Sequence, residues 1–273
     1  MKLSFFSPAK INLFLLVLGK REDGYHEIAS LMQAISLYDE LHFELGNKDV
    51  LLSSDPSLDI GPSNLIWKAV LAFREKTSIR EPLTITLKKN IPMMSGLGGG
   101  SSNAATTLFA LDSIFSTNFS QEDFFSLAQK IGSDVPFFFS QGTAYVEGRG
   151  EKVEEIFLPI AHSFYLFFSK EGLSTAHVYQ AMKGKIDVHQ NPRALLKRFL
   201  AHDFSYQNDL EKGAFSICQS LANNKKELEE SNFSSVFLTG SGSAFVCVGE
   251  NHRGLSLTEV KAIQRKEKLW YSP

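Results

Sequence analysis

Four glycines and two serines stand together in the stretch GLGGGSSN at residues 96–103, and a helix-forming segment, AATTLFALDSIF, follows at once. Glycine lets backbone N–H groups come close to an anion at positive φ, and the start of a helix offers unpaired N–H donors and a partial positive charge. Ser101 and Ser102 add hydroxyl groups beside these donors. The pattern therefore predicts a phosphate-binding loop. A plain flexible loop is the alternative, although such a loop does not usually run straight into a helix with a clean apolar face.

Two common phosphate motifs do not fit these letters. A Walker A loop ends in Gly-Lys-Ser or Gly-Lys-Thr, whereas Gly100 is followed by Ser101 and Ser102. A dinucleotide fingerprint that began at Gly96 and Gly98 would need a glycine at position 101, which is serine. The sequence therefore excludes both motifs and leaves a phosphate-binding loop of another kind.

Two other side chains have the chemistry of phosphoryl transfer, which needs an aligned hydroxyl and positive charge around the transferring group. Lys10 stands in SPAKINLF, between a proline turn and an apolar strand, and Asp134 stands in IGSDVPFFF, directly before an apolar segment. A lysine and a carboxylate that face each other would supply both requirements. The residues alone leave two simpler interpretations open. Lys10 would extend from a strand end toward solvent, and Asp134 would cap a turn or helix that begins near Pro136.

The composition limits the classes of protein to consider. The chain of 273 residues is 43% hydrophobic and 21% charged, and its formal charge of −2 gives no field that would gather a polyanion. Nucleic acid is therefore not an expected partner. Cys218 and Cys247 lack metal-ligand spacing, which favours reduced and buried thiols. The longest apolar run, LFLLVL, is too short to span a bilayer, and the N-terminus lacks a signal-peptide pattern, so we expect no membrane association and a cytoplasmic location.

The first half of the chain alternates strand and helix patterns around the glycine loop. INLFLLVLG, ELHFEL and PLTITLKK have the apolar patterns of strands, and REDGYH is a turn signal between the first two. SNLIWKAVLAFREK predicts a helix with Ser63 as its candidate N-cap. SQEDFFSLAQKIG predicts another helix, in which Ser120 is the N-cap, Asp123 completes a capping box and Gly132 ends the helix.

A pattern of strands and helices begins again after about residue 157. SFYLFFS predicts a strand, and STAHVYQAM, PRALLKRFLA and LEKGAFSICQSL predict helices. SVFLTG and AFVCVGE flank the letters SGS as the strands of a hairpin would. Two charged stretches, NNKKELEE and IQRKEKLW, mix both signs as a solvated helix face does. Because strands and helices are intermixed without a βαβα rhythm, we predict an α+β fold with two domains, residues 1–155 and 156–273.

The loop and several other segments resemble a known family. PMMSGLGGGSSNAA at residues 92–105 is similar to the nucleotide loop of the GHMP kinase superfamily, which contains galactokinase and the homoserine, mevalonate and phosphomevalonate kinases. SPAKINLFLLVLGKREDGYHEI and IGSDVPFFFSQGTAYVEGRGE resemble one branch, the 4-diphosphocytidyl-2-C-methyl-D-erythritol kinases, and QNDLE and LTGSGSAF extend the resemblance through the second half. Met94 and Ser95 depart from it, because this family more often has glycine or another very small residue there. The resemblance implies an ATP-binding N-terminal domain, a substrate-binding C-terminal domain and an active site in the cleft between them.

The same resemblance implies roles for single residues. Asp134 would accept or orient the proton of the substrate hydroxyl, while Lys10 would keep that carboxylate ionised and stabilise the transferring phosphoryl group. The substrate-binding residues that it implies are Asn12, Tyr25, His26, Thr175 and Tyr179.

The cytosine ring of the substrate would be held by aromatic side chains. The resemblance implies that Tyr25 and Tyr179 stack on the ring, that His26 contacts the base edge, and that Thr175 lies near the methylerythritol end. From spacing alone, Thr175 and Tyr179 would instead form a packing face of a helix. The glycine-rich turn TGSGSAF at 239–245 would help to close the site, and a plain hairpin loop is the alternative.

On the nucleotide side the resemblance implies contacts to ATP. Sequence alone would assign Asn64 to helix capping and Lys89 to solvent, but the family pattern places both beside the nucleotide. Mg²⁺ should accompany ATP because it offsets charge on the β- and γ-phosphates, although no ligand set is visible and Ser102 is only a candidate contact. The implied ATP-binding residues are Asn64, Lys89, Pro92, Met93, Met94, Ser95, Gly96, Leu97, Gly98, Gly99, Gly100, Ser101, Ser102 and Asn103.

The reaction implied by the resemblance is ATP-dependent phosphorylation of the 2-hydroxyl of 4-diphosphocytidyl-2-C-methyl-D-erythritol, a step of the non-mevalonate isoprenoid route. One alternative is another kinase of the superfamily that acts on a mevalonate-like or homoserine-like alcohol. A second is a non-catalytic nucleotide-binding or RNA-binding module. The sequence predicts no oligomeric state.

Overall fold

The computed structural model of the chain describes residues 2–187, 189, 191–250, 255–266 and 268–272. The strands are β1 Lys2–Lys20, β2 His26–Leu45, β3 Val50–Ser53, β4 Leu83–Lys88, β5 Thr143–Gly148, β6 Lys152–Glu155, β7 Ser163–Phe168, β8 Gln207–Asn208, β9 Ser235–Leu238, β10 Ala244–Val248 and β11 Thr258–Lys261. The helices are α1 Leu65–Thr77, α2 Gly99–Phe115, α3 Gln121–Ile131, α4 Thr175–Ala181, α5 Pro192–Leu200, α6 Glu211–Ile217 and α7 Gln219–Glu229, with a 3₁₀ helix at Pro136–Phe139. This mixture of helices and largely antiparallel sheets is the α+β class that the sequence predicts.

A seven-stranded sheet is built around the long hairpin of β1 and β2. Its strand order is β3-β4-β2-β1-β8, and β5 and β6 continue from β2. The apolar segment of β1 between Ser7 and Val17 is buried throughout, because both faces of this strand are covered. Helices α1, α2 and α3 pack on one face of the sheet. The core between the helices and the sheet includes Phe43 from β2, Phe73 from α1 and Leu108 from α2.

A second sheet has the strand order β11-β7-β10-β9 and is antiparallel. Strand β10 alternates between two cores, as the two faces of a strand require. Ala244 and Val246 face a core that lies between the two sheets, whereas Phe245 and Cys247 face a core formed with α4, α6 and α7. The second half of the chain also contributes to the first sheet, because β8 pairs with β1 in parallel.

Most of the helices and strands predicted from sequence are confirmed. The capping box of Ser120 with Asp123 is present, and Gly132 is the C-cap of α3. The REDGYH turn connects β1 to β2, and β9 and β10 pair as the predicted hairpin. Within the described residues, no helix has the length and apolarity needed to cross a bilayer. The boundary near residue 155 stays a prediction.

Several local predictions are wrong. The N-cap of α1 is Asn64 and not Ser63, since the Asn64 side chain accepts a hydrogen bond from the N–H of Ile66. The stretch LEKGAFSICQSL is not one helix, because an extended Cys218 separates α6 from α7. NNKKELEE lies in α7 except for its last residue, the C-cap Glu230, but the described residues of IQRKEKLW form no helix. There Arg265 is half-buried and donates hydrogen bonds to the carbonyl groups of residues 139 and 140.

Candidate active site

A cavity of about 1260 Å³ lies where the two halves of the chain meet. Its lining comes from the β1–β2 hairpin, the glycine loop before α2, the segment after α3, helix α4 and the turn after β9. This volume exceeds the range of about 300–1,000 Å³ that is typical for one drug-sized ligand. The cavity therefore has room for two substrates side by side.

The start of helix α2 forms part of the cavity wall. Gly98 is its N-cap in the left-handed conformation, and none of the described side chains caps it. The N–H of Ser102 bonds to the carbonyl of Gly98, so the N–H groups of residues 99–101 form the open end of the helix. By contrast, α1 and α3 are capped by Asn64 and Ser120. An uncapped helix start in a cavity is suited to hold phosphate oxygens.

Lys10 lies directly beneath this helix start. The backbone N–H of Lys10 donates to the carbonyl of Leu97 over 2.9 Å, and a Cβ added at Gly98 would come within 2.9 Å of Lys10 Cγ. Glycine at 98 is therefore needed both for its positive φ of 70° and for the passage of the lysine. The lysine side chain is only 3% exposed, so its interpretation as a solvent-directed lysine is wrong.

Asp134 faces Lys10 across the cavity wall, and the distance from Lys10 Nζ to Asp134 Oδ2 is 3.6 Å. The 3₁₀ helix that follows has Val135 as its N-cap and no side-chain cap, so the interpretation of Asp134 as a capping residue is wrong. The carboxylate stays one-third exposed on the cavity side. A carboxylate that faces the cavity in this way can accept or orient the proton of a hydroxyl group placed beside it.

Asn12 connects Lys10 to the turn after β9. Its Oδ1 accepts hydrogen bonds from Lys10 Nζ at 2.7 Å and from the N–H of Gly240 at 2.9 Å. Its Nδ2 donates to Ser30 at 2.8 Å. The amide oxygen is therefore used inside the protein, and Asn12 orients the ammonium of Lys10. Direct contact between Asn12 and the substrate stays a prediction.

The glycine-rich turn at 239–245 packs backbone to backbone against the predicted phosphate-binding loop. The N–H of Ala244 donates to the carbonyl of Ser95 at 3.1 Å, and a Cβ added at Gly96 would lie 2.0 Å from the carbonyl oxygen of Thr239. Gly240 and Ser241 also line the cavity. The turn is thus a hairpin loop that also forms part of the cavity wall.

Replacing Gly96 with alanine is expected to separate the loop from this turn. The new Cβ would overlap the carbonyl of Thr239, and φ of 78° would cost an L residue about 1 kcal/mol even without the clash. We expect a lower melting temperature and an affinity for ATP that falls about tenfold or more, measured by thermal unfolding and calorimetry. Gly19→Ala is the matched control, since a Cβ there would have nothing within 4 Å. Unchanged ATP affinity in Gly96→Ala would contradict this account.

The two departures from the family pattern have different structural consequences. Met94 holds a positive φ of 54°, a conformation that glycine adopts without strain, and its side chain is 57% exposed. Ser95 is buried and its hydroxyl donates to the carbonyl of Pro92 at 2.7 Å. The start of the loop is therefore fixed by this short hydrogen bond and by the turn after β9.

The aromatic residues of the predicted clamp line the cavity from the β1–β2 connection and from helix α4. The His26 ring stacks on Tyr179, with ring centroids 4.8 Å apart and planes at 23°. Tyr25 is 53% exposed, and the Arg149 guanidinium lies over its ring at 4.8 Å. The structure therefore brings His26, rather than Tyr25, against Tyr179. Burial and then the charge of Lys20 lower the pKa of His26 below 6.5, so the imidazole is neutral at pH 7.

Thr175 and Tyr179 both lie on the cavity side of α4. The Thr175 hydroxyl is 2.8 Å from the hydroxyl of Ser241 in the glycine-rich turn. Burial and the negative charge of Asp134 raise the pKa of Tyr179, so its phenol stays neutral. The interpretation of this helix face as ordinary packing is therefore incomplete, because the face also forms part of the cavity wall.

Lys89 lines the cavity. Sequence alone predicts that its side chain extends into solvent, and the structure shows that it does not. Its ammonium is 2.9 Å from Asp39 Oδ2, and the two side chains are 5% and 0% exposed. Asn64 also lines the cavity, yet its amide is used as the cap of α1 and as a donor to the carbonyl of Asp59. The predicted contacts of both residues with ATP stay predictions.

Ser102 is the one residue of the predicted loop that the structure does not bring to the cavity. The cavity lining includes Ser101 and Asn103 but not Ser102. The Ser102 hydroxyl is fully buried and accepts a hydrogen bond from Ser7 at 2.7 Å. It is therefore turned away from the place where a metal ion would accompany phosphates.

The charges around the cavity favour anionic ligands, although the whole chain is slightly acidic. Among the described lining residues, one side chain is acidic, Asp134, and one of the cations, Lys89, is already paired with Asp39. Positive charge with low-dielectric walls concentrates anions. The cationic lining residues are Lys10, Lys20, Lys89, Arg149 and Lys183.

Sequence reasoning missed Asp39, Arg149 and Ser7. Asp39 lies inside a strand between LY and EL, where an acidic residue usually belongs to a solvated strand face. Arg149 stands in the GRGE turn, and its proximity to Tyr25 depends on the pairing of β5 with β2. No local pattern marks any of these residues, because their partners are distant in the chain.

Comparisons with known proteins identify relatives of this chain. The profile described as the GHMP kinases N terminal domain matches residues 64–142. The chain is 44% identical to a protein of Protochlamydia amoebophila (strain UWE25) named 4-diphosphocytidyl-2-C-methyl-D-erythritol kinase, over 98% of this chain and 92% of the relative. It is 38% identical to the chloroplastic protein of that name from Oryza sativa subsp. japonica, over 99% of this chain and 73% of the relative.

Solved structures with the same fold include a crystal structure of 4-(cytidine 5'-diphospho)-2C-methyl-D-erythritol kinase. It superposes with a TM-score of 0.77 and 33% identity over 91% of both chains. A homoserine kinase from Cytophaga hutchinsonii superposes with a TM-score of 0.74 at 15% identity, over 96% of this chain and 95% of that one. At that identity the likeness establishes the fold alone.

Proposed function

The chain belongs to the 4-diphosphocytidyl-2-C-methyl-D-erythritol kinase family of the GHMP superfamily, and from this premise we propose that it phosphorylates the 2-hydroxyl of that cytidylyl compound with ATP. As a member of this family it is an ATP-dependent small-molecule kinase. The products are ADP and the 2-phosphate of the substrate. The reaction is a step of the non-mevalonate route to isoprenoid precursors.

The observation that carries the proposal is the Lys10–Asp134 pair beside the uncapped start of α2. A triphosphate on the N–H groups of residues 99–101 would bring its terminal phosphoryl group to Lys10. An alcohol between that group and Asp134 would have its hydroxyl next to a carboxylate. Phosphoryl transfer needs little more than this alignment and the compensation of charge.

In the reaction, Asp134 accepts or orients the hydroxyl proton, and Lys10 stabilises the charge that spreads over the transferring oxygens. The Lys10 ammonium is held for this role by Asn12, whose amide oxygen is fixed in turn by Gly240. Because Lys10 is almost fully buried, its charge acts at low dielectric and is screened little by salt.

Mg²⁺ fits this site as a companion of ATP. The described cavity wall offers the carboxylate of Asp134 and the hydroxyl of Ser101 as oxygen donors, whereas Ser102 is turned toward Ser7. Two oxygen donors suit an ion that is otherwise held by phosphates and water. When bound, the ion would offset charge on the β- and γ-phosphates.

The clamp residues support the cytidylyl compound over a simple alcohol. Tyr179 and His26 form a stacked aromatic pair in the cavity wall, and Tyr25, next to His26 in the chain, adds an exposed ring. A mevalonate-like or homoserine-like alcohol has no aromatic base that needs such a wall. A neutral His26 provides one donor and one acceptor for the edge of the cytosine.

Replacing Tyr179 with alanine is expected to weaken binding of the cytidylyl substrate alone. Stacking on an aromatic side chain contributes about 1–3 kcal/mol per base, so we expect the KM for this substrate to rise about tenfold or more, with the KM for ATP within about twofold. Steady-state kinetics in each substrate measure both values. Tyr179→Phe is the matched control, since it keeps the ring, and equal effects of the two variants would argue against stacking.

One assay separates the three candidate functions. The protein is incubated with ATP, Mg²⁺ and either the cytidylyl compound, mevalonate or homoserine, and ADP release is measured. Release with the cytidylyl compound alone is the expected result. Release only with a simple alcohol would favour another superfamily activity, and no release with any of them would favour a non-catalytic binding module.

The remaining predictions from sequence enter this proposal unchanged. We place ATP binding mainly in residues 1–155 and substrate binding mainly in residues 156–273. The slightly negative net charge supports neither a nucleic acid nor an anionic membrane as a partner. A cytoplasmic location is part of the proposal, although the plant relatives are named as chloroplastic.

A further inference from the structure

Asp39 is a fully buried carboxylate in the middle of β2, outside the cavity lining. Its carboxylate accepts hydrogen bonds from four groups, which is more than an ion pair with one lysine would require. Its Oδ1 accepts from the backbone N–H groups of Asn90 at 2.7 Å and Ile91 at 2.8 Å. Its Oδ2 accepts from Lys89 Nζ at 2.9 Å and from Asn103 Nδ2 at 3.0 Å.

These donors lie on both sides of the phosphate-binding loop. Residues 89–91 form the segment that leads into the loop, and Asn103 lies in the first two turns of α2, just after it. One carboxylate therefore joins the two ends of the segment between Ile91 and Asn103. We call Asp39 together with Lys89, the N–H groups of Asn90 and Ile91, and Asn103 the Asp39 network.

The network also holds the Lys89 ammonium near the start of α2. The ammonium donates to Asp39 and to the carbonyl of Ile91, and a Cβ added at Gly99 would lie 3.2 Å from Nζ. Without Asp39, this buried cation would have no described carboxylate partner and would move toward water or a ligand anion. The carboxylate thus fixes the ammonium as well as the backbone.

A second chain of hydrogen bonds continues from the Asp39 network into β1. Asn103 Nδ2 also donates to the Ser7 hydroxyl at 2.9 Å, and Ser7 donates to Ser102 at 2.7 Å. The first turns of α2 are therefore tied to both central strands of the sheet. Such ties set the direction of the helix axis, and with it the direction of the open N–H groups of residues 99–101.

We propose that Asp39 is a positioning residue for the phosphoryl donor, which fixes the phosphate-binding loop and the start of α2 in the shape that accepts ATP. This inference rests on the proposed kinase function. Asp39 touches neither substrate and acts through Lys89 and Asn103. Because the Asp39 network includes none of the clamp residues, which belong to the β1–β2 connection and to α4, the network should govern binding of ATP and leave binding of the cytidylyl substrate unaffected.

The test uses Asp39→Asn in the full chain. Asparagine keeps the volume but presents an NH₂ group to donors and removes the charge opposite Lys89. We expect the KM for ATP and the dissociation constant for ADP, measured by calorimetry, to rise about tenfold or more, with the KM for the cytidylyl substrate within about twofold. Equal rises in both KM values, or an unchanged KM for ATP in a folded variant, would overturn the proposal.

Asp49→Asn is the matched control. Asp49 also accepts hydrogen bonds from a cation, Arg74, and from a backbone N–H, that of Leu83, but it lies away from the cavity. The Asp49→Asn substitution should lower the melting temperature and leave the KM values for ATP and for the cytidylyl substrate unchanged. An increase in the KM for ATP as large as that of Asp39→Asn would assign the effect to general loss of stability and overturn the proposal.

Asn103→Ala decides the question if Asp39→Asn does not fold. This variant removes the link between Asp39 and α2 together with the hydrogen bond of Asn103 to Ser7, and leaves the Lys89–Asp39 pair in place. A selective rise of about threefold or more in the KM for ATP would support the proposal, and no change would overturn it. If the wild-type protein releases no ADP with the cytidylyl compound, the kinase proposal itself fails. In that case, weaker binding of ADP by Asp39→Asn and Asn103→Ala than by the wild type would still support the positioning role.

Discussion

Replacing Asp134 with asparagine is expected to lower kcat about a thousandfold while the protein stays folded. General-base catalysis by a positioned side chain contributes about 10²- to 10⁴-fold, and asparagine cannot accept the hydroxyl proton. The variant keeps the shape of the side chain and its position 3.6 Å from Lys10. Because Asp134 is one-third exposed and caps no helix, we expect a melting temperature close to that of the wild type.

The measurement for Asp134→Asn is ADP release at saturating ATP and cytidylyl substrate, with both KM values determined. We expect KM values within a few-fold of the wild type, since the carboxylate acts mainly in the transition state. Asp112→Asn is a suitable control, because Asp112 holds the turn after α2 through Thr117 and Phe119, at the far end of that helix from the cavity. A kcat within tenfold of the wild type would remove Asp134 from the mechanism.

Replacing Lys10 with methionine is expected to lower kcat by about 10²- to 10³-fold, the usual loss when one group that stabilises transition-state charge is removed. Methionine follows the path of the lysine stem beneath Gly98 but ends without charge. The Asn12 amide oxygen would lose its 2.7 Å donor and keep the N–H of Gly240. Stability should change little, because removal of a buried cation also removes the cost of its desolvation.

Single-turnover and steady-state measurements on Lys10→Met check this expectation, and Lys225→Met is the control for loss of a paired lysine outside the cavity lining. We also expect Lys10→Arg to be poorly active. The lysine side chain is 3% exposed and its stem contacts the Gly98 position, so there is no room for the larger guanidinium. Near-normal turnover in Lys10→Met would contradict the proposed mechanism.

Residues close in the chain gave the most reliable predictions. The Ser120 capping box is confirmed, because its two hydrogen bonds join residues three apart. The position of the glycine run directly before a helix is confirmed for the same reason, since the glycines and the start of α2 are neighbours in the chain. The strand patterns of β1 and β4 are also local and are confirmed.

The roles of the catalytic and substrate-binding residues came mainly from family resemblance. Pattern alone left Lys10 and Asp134 with simpler interpretations, and only the folded chain brings them within 3.6 Å. Lys89 shows the same error as Lys10, because a lysine before Asn-Ile-Pro is expected to be solvated and is in fact buried against Asp39. Neither result follows from residues near these positions in the chain.

The sequence by itself determined the elements, the loop that can hold phosphate and, through resemblance, the family. Tertiary structure decided which side chains face one another: Lys10 with Asp134, His26 with Tyr179, and Asp39 with the two ends of the phosphate-binding loop. It also decided why Gly96 must lack a side chain, because the carbonyl of Thr239 occupies that space. The physical reason is that helix caps and strand patterns depend on neighbours in sequence, whereas charge pairing and close backbone contact depend on how distant segments pack.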